Sequence, residues 1–384
     1  MSESTDKSEQ ISLTRMRRDL HRIPELDFKL PRTIAYIRNE LEAIRDHTNA
    51  AYGHESCSII EPSQSAICIF FNKNSPNTTA VRSDMDALPV TERTNSEFVS
   101  QHRGCMHACG HDGHMAMVLG LAHHLAESFD ELPRNVLLVF QPAEETTGGA
   151  RLICESSIFE QYGVDKIFGF HLWPDLPKGV IASRPGGLLA AASESTFRFN
   201  GRSAHIAKAQ DGADALEAGA RFLLKAYDYM EEKRREEPCL LKCGVMRSGD
   251  VRNVISSHTV IEGSLRTFSH RMSVQAKKDL ARIAQDCAEA TGCTADVHFA
   301  DGYPPVVNDG ALFARAAETL PELECLPDPL LIGEDFAFYQ QHIPGVFFLL
   351  GTGTGIPLHA DTFDFDETIL SAGLDAYKRL VRMV

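Results

Sequence analysis

Five short runs rich in β-branched and large apolar residues restrict the fold more than any other feature of the sequence: AICIFF (66–71), TAVRSDMDAL (79–88), NVLLVFQ (135–141), KIFGFHLW (166–173) and GVFFLLGTG (345–353). Runs this short with no polar face read as strands covered on both sides. Helical segments, such as the one over 114–129, separate them. Alternation of this kind predicts an α/β body, a mostly parallel central sheet flanked by helices. Leu13, Met16, Leu20 and Ile23, and then Ile34, Ile37, Leu41 and Ile44, recur at three-and-four spacing, so two amphipathic helices precede the sheet.

The pattern changes between residues 190 and 299. A strand (STFRFNG), a long helix (214–237), two strands (LLKCGVMRS and TVIEGSLRTFS), a second helix (273–292) and a last strand (TADVHFA) follow one another. This is the βαββαβ order of a ferredoxin-like α+β unit. Its position predicts an inserted lid and dimerisation domain over 190–299, between catalytic segments 1–189 and 300–384. SRPGGLLAA and DGYPPVV would serve as the connections.

A length of 384 residues suits two such bodies, and a formal net charge of −15 argues against nucleic acid or an anionic membrane as partner. The polar start, MSESTDKSEQ, lacks the apolar core of an export signal, which predicts a cytoplasmic protein. In that compartment the ten cysteines read as reduced thiols; Cys57, Cys68, Cys154 and Cys287 read as small buried hydrophobes.

Open α/β sheets build their sites at the carboxyl ends of the strands. The first of these ends in Asp84 and Asp86, the next in Glu144 and Glu145, the next in His171, and the last is followed by His359. Each residue alone has an ordinary explanation as a strand end, a solvated loop or a rim histidine. Together they form the mixed nitrogen and oxygen set expected of a divalent transition metal, with more groups than one ion needs.

The stretch MHACGHDGH (106–114) adds Cys109 and His111, placed at i and i+2 in what reads as an extended turn ahead of a helix. Such a cluster suits a structural zinc knot, a thiol nucleophile beside its base, or one wall of a catalytic metal site. No second cysteine pair follows at zinc-finger spacing, and a Cys109 nucleophile leaves Glu144, Glu145, His171 and His359 without a purpose.

With these segments assembled, the sequence resembles the aminoacylase and glutamate-carboxypeptidase-like family of dinuclear metallohydrolases. Within it, the chain is most similar to the subgroup of auxin-conjugate hydrolases, hippurate hydrolases and N-acetyl-diaminopimelate deacetylases. HRIPEL, RSDMDALPV, MHACGHDGH, QPAEETTGGA, GFHLWPDLPKG, GRSAH, GSLRTF, GEDFAFY and PLHADTFDFDE occur in that subgroup's order over nearly the whole chain.

The resemblance implies two divalent metal ions per subunit, zinc, manganese, cobalt or nickel, held by Cys109, His111, Glu145, His171 and His359 with the Cys109 thiolate shared. It implies Glu144 as general base and Asp86 as an outer group orienting a ligand histidine. Asp84 stands where the wider family carries a metal histidine, and its own role is open. His205 would reach a partner subunit's active site to help hold the carbonyl oxygen, and Asn253 and Arg266 would lie near the substrate carboxylate. The implied activity is hydrolysis of N-acyl amino acids by a homodimer; a dipeptidase or carboxypeptidase on short peptides, and a non-catalytic metal-binding homologue, are the alternatives.

Overall fold

A computed structural model describes residues 2–300 and 302–384. Asp301, the first residue of the DGYPPVV connection, lies outside them. The chain divides into two compact units: Met1–Gly186 with Asn308–Pro327 and Phe338–Val384, and Gly187–Val307 with Asp328–Ala337. Residues 328–337, which the sequence division assigned to the catalytic body, therefore group with the second unit. Backbone pairing is the reason, since Leu330 N donates to Leu188 O at 2.8 Å and Ala190 N donates to Ile332 O at 2.9 Å.

The chain opens with α1 (Ser2–His21), α2 (Pro31–Tyr52), β1 (Cys57–Ile60), β2 (Ile67–Phe71), β3 (Thr78–Asp84), α3 (His111–Glu127) and β4 (Asn135–Gln141). Short helices α4 (Gly149–Glu155) and α5 (Ile158–Gln161) precede β5 (Val164–Trp173), β6 (Ile181–Ser183) and β7 (Gly186–Leu189). Next come β8 (Ala191–Asn200), α6 (Ala215–Lys233), β9 (Cys239–Ser248), β10 (His258–Thr267), α7 (His270–Glu289), β11 (Thr294–Phe299) and β12 (Val306–Asn308). The chain finishes with α8 (Gly310–Thr319), β13 (Glu324–Cys325), α9 (Ala337–Gln340), β14 (Gly345–Gly351) and α10 (Leu370–Leu380).

In the first unit the sheet order is β1-β2-β4-β3-β5-β14-β6-β13. Its centre, β4, β3, β5 and β14, is parallel, while β1, β2 and β6 add antiparallel pairings toward the edges. Every residue of β2, β3, β4 and β14 is buried, as expected of strands covered on both faces. One core joins Leu13, Met16 and Leu20 of α1, Ile37 and Leu41 of α2, Met117 and Leu121 of α3, and Leu374 of α10 to Phe140, Phe168, Phe170 and Phe348 of the sheet. Gly120 of α3 permits the close approach of α1: a Cβ there would stand 2.7 Å from Leu13 Cδ2.

A buried polar knot ties α1 to the start of α3. Arg17 Nε and His21 Nδ1 both donate to Asp112 Oδ2, at 2.9 and 2.7 Å. Arg17 also reaches Asp364 at 2.7 Å and Glu367 at 3.3 Å, and His21 Nε2 lies 3.2 Å from Glu92 Oε1. Burial by itself would lower the His21 pKa, but Asp112 and Glu92 outweigh it and raise it to about 9. The knot anchors Asp112, the neighbour of His111 on the first turn of α3.

In the second unit the antiparallel order β11-β8-β10-β9 follows from the chain order β8-α6-β9-β10-α7-β11. Phe197, Phe199, Ile261 and Leu265 of the sheet pack with Phe222 of α6 and Leu280 of α7. The strict alternation of buried and more exposed residues along β8 shows that the helices cover one face only.

Candidate metal centre

Because β3, β4 and β5 run parallel, their carboxyl ends share one edge of the sheet. Asp84 closes β3, with Asp86 two residues on; β4 ends at Gln141, ahead of Glu144 and Glu145; His171 sits near the end of β5. Ala143, just before the two glutamates, holds φ 57°, and His359 holds φ 68°, a left-handed region that residues with a Cβ seldom adopt. His359 is fixed there by its own amide, which donates to Ala108 O at 2.9 Å.

The α3 helix begins at His111, so His111 lies on its first turn; this corrects the extended-turn reading, in which the helix began at 114. Gly110 makes the turn at φ 87°, and a Cβ on it would meet Leu172 Cδ1 at 2.8 Å, so only glycine suits the position. Cys109 precedes the helix and His111 opens it, which aims both side chains at the sheet edge.

The donor atoms of Cys109, His111 and His171 lie within 4.8 Å of one another, and so do those of Cys109, Glu145 and His359. A third such group is His111, Glu144 and Glu145. Cys109 Sγ stands 3.4 Å from His171 Nε2, and Glu145 Oε1 stands 3.3 Å from His359 Nε2 and 3.8 Å from His111 Nε2. The five residues implied as ligands thus fall into two donor triads that meet at Cys109.

These residues fit a divalent cation. His111 Nδ1 donates to the Asp86 carbonyl and His171 Nδ1 to the Leu172 carbonyl, each at 2.7 Å. A carbonyl only accepts, so both rings carry hydrogen on Nδ1 and present a bare Nε2 to the cluster. Among the described residues His111 Nε2 and Glu145 Oε1 are buried without a hydrogen-bond partner, which a metal would supply. Burial lowers the pKa of His111 and takes that of His171 to about 3, keeping both imidazoles in the neutral, ligating form. Burial, with Glu145 and Glu144 beside it, pushes the Cys109 thiol up; a bound cation reverses that preference and favours the thiolate.

Asp86 acts through different atoms from those implied at the sequence level. Its backbone carbonyl orients His111, whereas its carboxylate Oδ1 is 3.9 Å from His111 Nδ1. That carboxylate instead accepts the Glu144 and Glu145 amides, at 2.9 and 3.1 Å. Burial raises the Asp86 pKa well above the usual range, and the two amides only partly offset it.

His205, Asn253 and Arg266 all belong to the second unit. His205 is exposed, its Nδ1 accepts from Ala207 N at 3.2 Å, and Ile206 N donates to Asn253 O at 3.0 Å, so the structure brings the His205 and Asn253 loops together. Those loops join at the end where Asn200 faces His258, whereas Arg266 pairs with Ala192 and Leu240 near the other end of β10. Within one chain Arg266 is therefore apart from them. The residues that the sequence did not single out are Arg82, His114, Gln141 and Tyr339, all buried around Asp84. All four lie in segments quoted above, RSDMDALPV, MHACGHDGH, QPAEETTGGA and GEDFAFY, where residue type and spacing gave none of them a part.

Residues 80–383 match the family described as Peptidase family M20/M25/M40. The chain is 34% identical over 379 residues to an N-acetyldiaminopimelate deacetylase of Streptococcus uberis, covering 96% of this chain and 97% of that one. It is 33% identical over 378 residues to an N-acetyl-L-cysteine deacetylase of Bacillus subtilis, covering 96% of this chain and 87% of the other. The crystal structure of the Bacillus subtilis YXEP protein, a dinuclear metal binding peptidase, superposes with a TM-score of 0.84 at 30% identity over 98% of each chain. A mostly parallel sheet with a donor cluster at its carboxyl edge and a separate small α+β unit agrees with this match, and the chain belongs to peptidase family M20/M25/M40.

Proposed function

We propose that the protein is a metal-dependent amidohydrolase that cleaves the amide bond of N-acyl amino acids, N-acetyl or aromatic-acyl, to a carboxylate and a free amino acid. The observation that carries this reading is the pair of donor triads meeting at Cys109, with Glu144 beside them and not required to complete either. Cys109, His111, Glu145, His171 and His359 would hold two divalent ions, with zinc, manganese, cobalt and nickel all suited to this donor set. When bound, the cations supply Lewis acidity toward the acyl oxygen and lower the pKa of a water toward neutrality.

Glu144 takes the proton of the attacking water and returns it to the departing amide nitrogen, without which the amide would re-form. The Asp86 carboxylate, through the two amides it accepts, holds the turn that aims Glu144. We assign His205 to a partner subunit's site, where it donates to the developing oxyanion, and Asn253 and Arg266 to the substrate carboxylate. That assignment makes the active form a homodimer through the second unit. The names of the Streptococcus uberis and Bacillus subtilis relatives favour small acylated amino acids as substrates. Among the described residues no helix is long and apolar enough to cross a membrane.

The test is a panel of N-acetyl and N-benzoyl amino acids beside matched dipeptides, assayed with each metal after chelation and reconstitution. Acetate or benzoate release that disappears on chelation and returns with added metal is the expected result. Full turnover by metal-free protein would overturn the mechanism, and preference for dipeptides would make the protein a peptidase.

A further inference from the structure

The acidic end of β3 presents a puzzle that the proposed ligand set leaves open. Asp84, His111 and His114 offer donor atoms within 4.8 Å of one another, fully buried, and so look like a third metal triad. The hydrogen bonds of His114 exclude that. His114 Nδ1 lies 2.7 Å from Asp84 Oδ1, and Leu172 N donates to His114 Nε2 at 2.9 Å. A backbone amide only donates, so Nε2 is the acceptor and Nδ1 carries the hydrogen. Both ring nitrogens are used and no lone pair remains for a cation.

Asp84 is engaged through both oxygens. Its Oδ1 takes His114, and its Oδ2 takes Arg82 Nη1 at 2.7 Å. Arg82 Nε donates to Gln141 Oε1 at 2.8 Å, an oxygen that also accepts the Tyr339 hydroxyl at 2.8 Å. Asp84, Arg82, Gln141 and Tyr339 are buried to 1% exposure or less. His111 Nε2 stays 3.7 Å from Asp84 Oδ2, beyond hydrogen-bond distance. Asp84 therefore serves as a buried counter-ion for Arg82.

Leu172 links this chain of contacts to the candidate centre. Its amide is held by His114, while its carbonyl accepts the hydrogen on His171 Nδ1 at 2.7 Å. The peptide plane between His171 and Leu172 is held from Asp84 through His114, and the carbonyl of the same Leu172 holds the His171 ring whose Nε2 faces Cys109.

We propose that Asp84 and His114 are positioning residues: through the Leu172 backbone they set the tautomer and ring orientation of His171 for a cation that neither of them touches. This rests on the dinuclear reading above and deepens it. It also accounts for an aspartate at a position where the wider family resemblance places a metal histidine.

Cobalt(II) reads the geometry directly, since thiolate-to-cobalt absorption reports the ligand field at Cys109 and competition with a chelator reports affinity. The holoprotein, a His114→Gln variant and a His114→Phe variant are stripped, checked for folding by circular dichroism and titrated with cobalt(II). Gln presents one donor and one acceptor at a spacing close to that of the imidazole, whereas Phe keeps the bulk and presents neither. We expect wild type to take up two ions, and His114→Phe also to take up two, with affinity 10- to 100-fold lower and an altered band. His114→Gln should return the band and affinity to within a few-fold of wild type.

An unchanged titration for His114→Phe would overturn the positioning role. Loss of one ion outright from both variants would overturn it differently, by making His114 a ligand. Fewer than two ions bound by wild type would defeat the dinuclear reading itself and this inference with it. Should His114→Phe fail to fold, Asp84→Asn, which keeps the shape but meets Arg82 without a charge, takes its place with the same expected loss of affinity; wild-type binding would overturn the proposal.

Discussion

The carboxylate of Asp86 accepts the backbone amide of Glu144 at 2.9 Å, with both side chains buried. The second oxygen of the same carboxylate accepts the next amide, that of Glu145, at 3.1 Å. One residue at the end of β3 thereby holds the turn after β4, where Ala143 already sits at φ 57°. Adjacent glutamates can exchange roles only if their backbone rotates, and this clamp prevents it. The backbone that carries the proposed base, Glu144, and the proposed ligand, Glu145, is thus held from two residues beyond a neighbouring strand.

Replacing Asp86 by asparagine leaves one acceptor where two amides need one each, and turns an amino group toward the other. The effect should fall on the placement of Glu144 more than on folding. We expect turnover to drop roughly 10- to 100-fold with metal content nearly unchanged. Steady-state kinetics beside metal analysis would show it; wild-type turnover would mean that the turn holds itself.

For the two glutamates the expected outcomes differ in kind. Glu144→Gln keeps the shape but accepts no proton, so it should retain metal and lose about 100- to 10,000-fold in kcat. Glu145→Gln should bind metal more weakly, because Glu145 Oε1 is a buried oxygen without a hydrogen-bond partner among the described residues. The reverse pattern in metal analysis would exchange the two assignments.

His205 is exposed in the second unit, and among the described residues its side chain makes one hydrogen bond, a local one from Ala207 N to its Nδ1 at 3.2 Å. If it serves a partner's site, mixing inactive His205→Ala with inactive Glu144→Gln subunits should restore activity, since each mixed dimer holds one complete site. Loss of a single oxyanion donor typically costs about 2.7 to 4 kcal/mol. Exchanged dimers that stay inactive would confine His205 to its own subunit or to no catalytic role.

The knot between α1 and α3 predicts a pH dependence of stability. His21 has its pKa raised in the folded protein to about 9, from 6.5 for the free side chain, because Asp112 and Glu92 outweigh the opposing burial. The protonated form is thus favoured by folding. Its contribution is fully present below about pH 6.5 and is lost as pH rises through about 9, on the order of 3 kcal/mol in all. Denaturant unfolding of wild type and His21→Gln at several values between pH 6 and 10 should show their difference shrinking with rising pH. A difference independent of pH would mean that His21 is neutral in the knot.

Packing gives a prediction at Gly120. Its added Cβ would meet Leu13 at 2.7 Å and Leu374 at 3.2 Å, within the contact of α3 with α1 and α10. Gly120→Val should lower stability by about 1 to 3 kcal/mol through overpacking, more than the gain in helix propensity returns. A melting temperature at or above wild type would show that α1 moves aside freely.

Sequence periodicity was enough for the architecture, because burial leaves a direct mark on composition. The apolar runs of β2, β4 and β14 announce strands covered on both faces, and the alternation in β8 announces a sheet covered on one. The same reasoning reaches the candidate centre: parallel strands end together, so Asp84, Asp86, Glu144, Glu145 and His171 converge whatever the details of packing. Short strands such as β6 and β13 left no such mark, being too brief for a period to show.

What only the tertiary structure decided is which atom of each residue is used. Residue type and spacing identify Asp86 as important but do not reveal that its carbonyl holds His111 while its carboxylate holds the Glu144 turn. They identify His114 as another histidine in a motif, yet its two nitrogens are taken by Asp84 and by the Leu172 amide, contacts 30 and 58 residues away in the chain. Nor do they place residues 328–337 with the second unit, a grouping made by backbone pairing with 188–190. Hydrophobic burial is additive along a sequence and can be read from it, whereas a hydrogen bond depends on the position and direction of both partners, which exist only once the chain has folded.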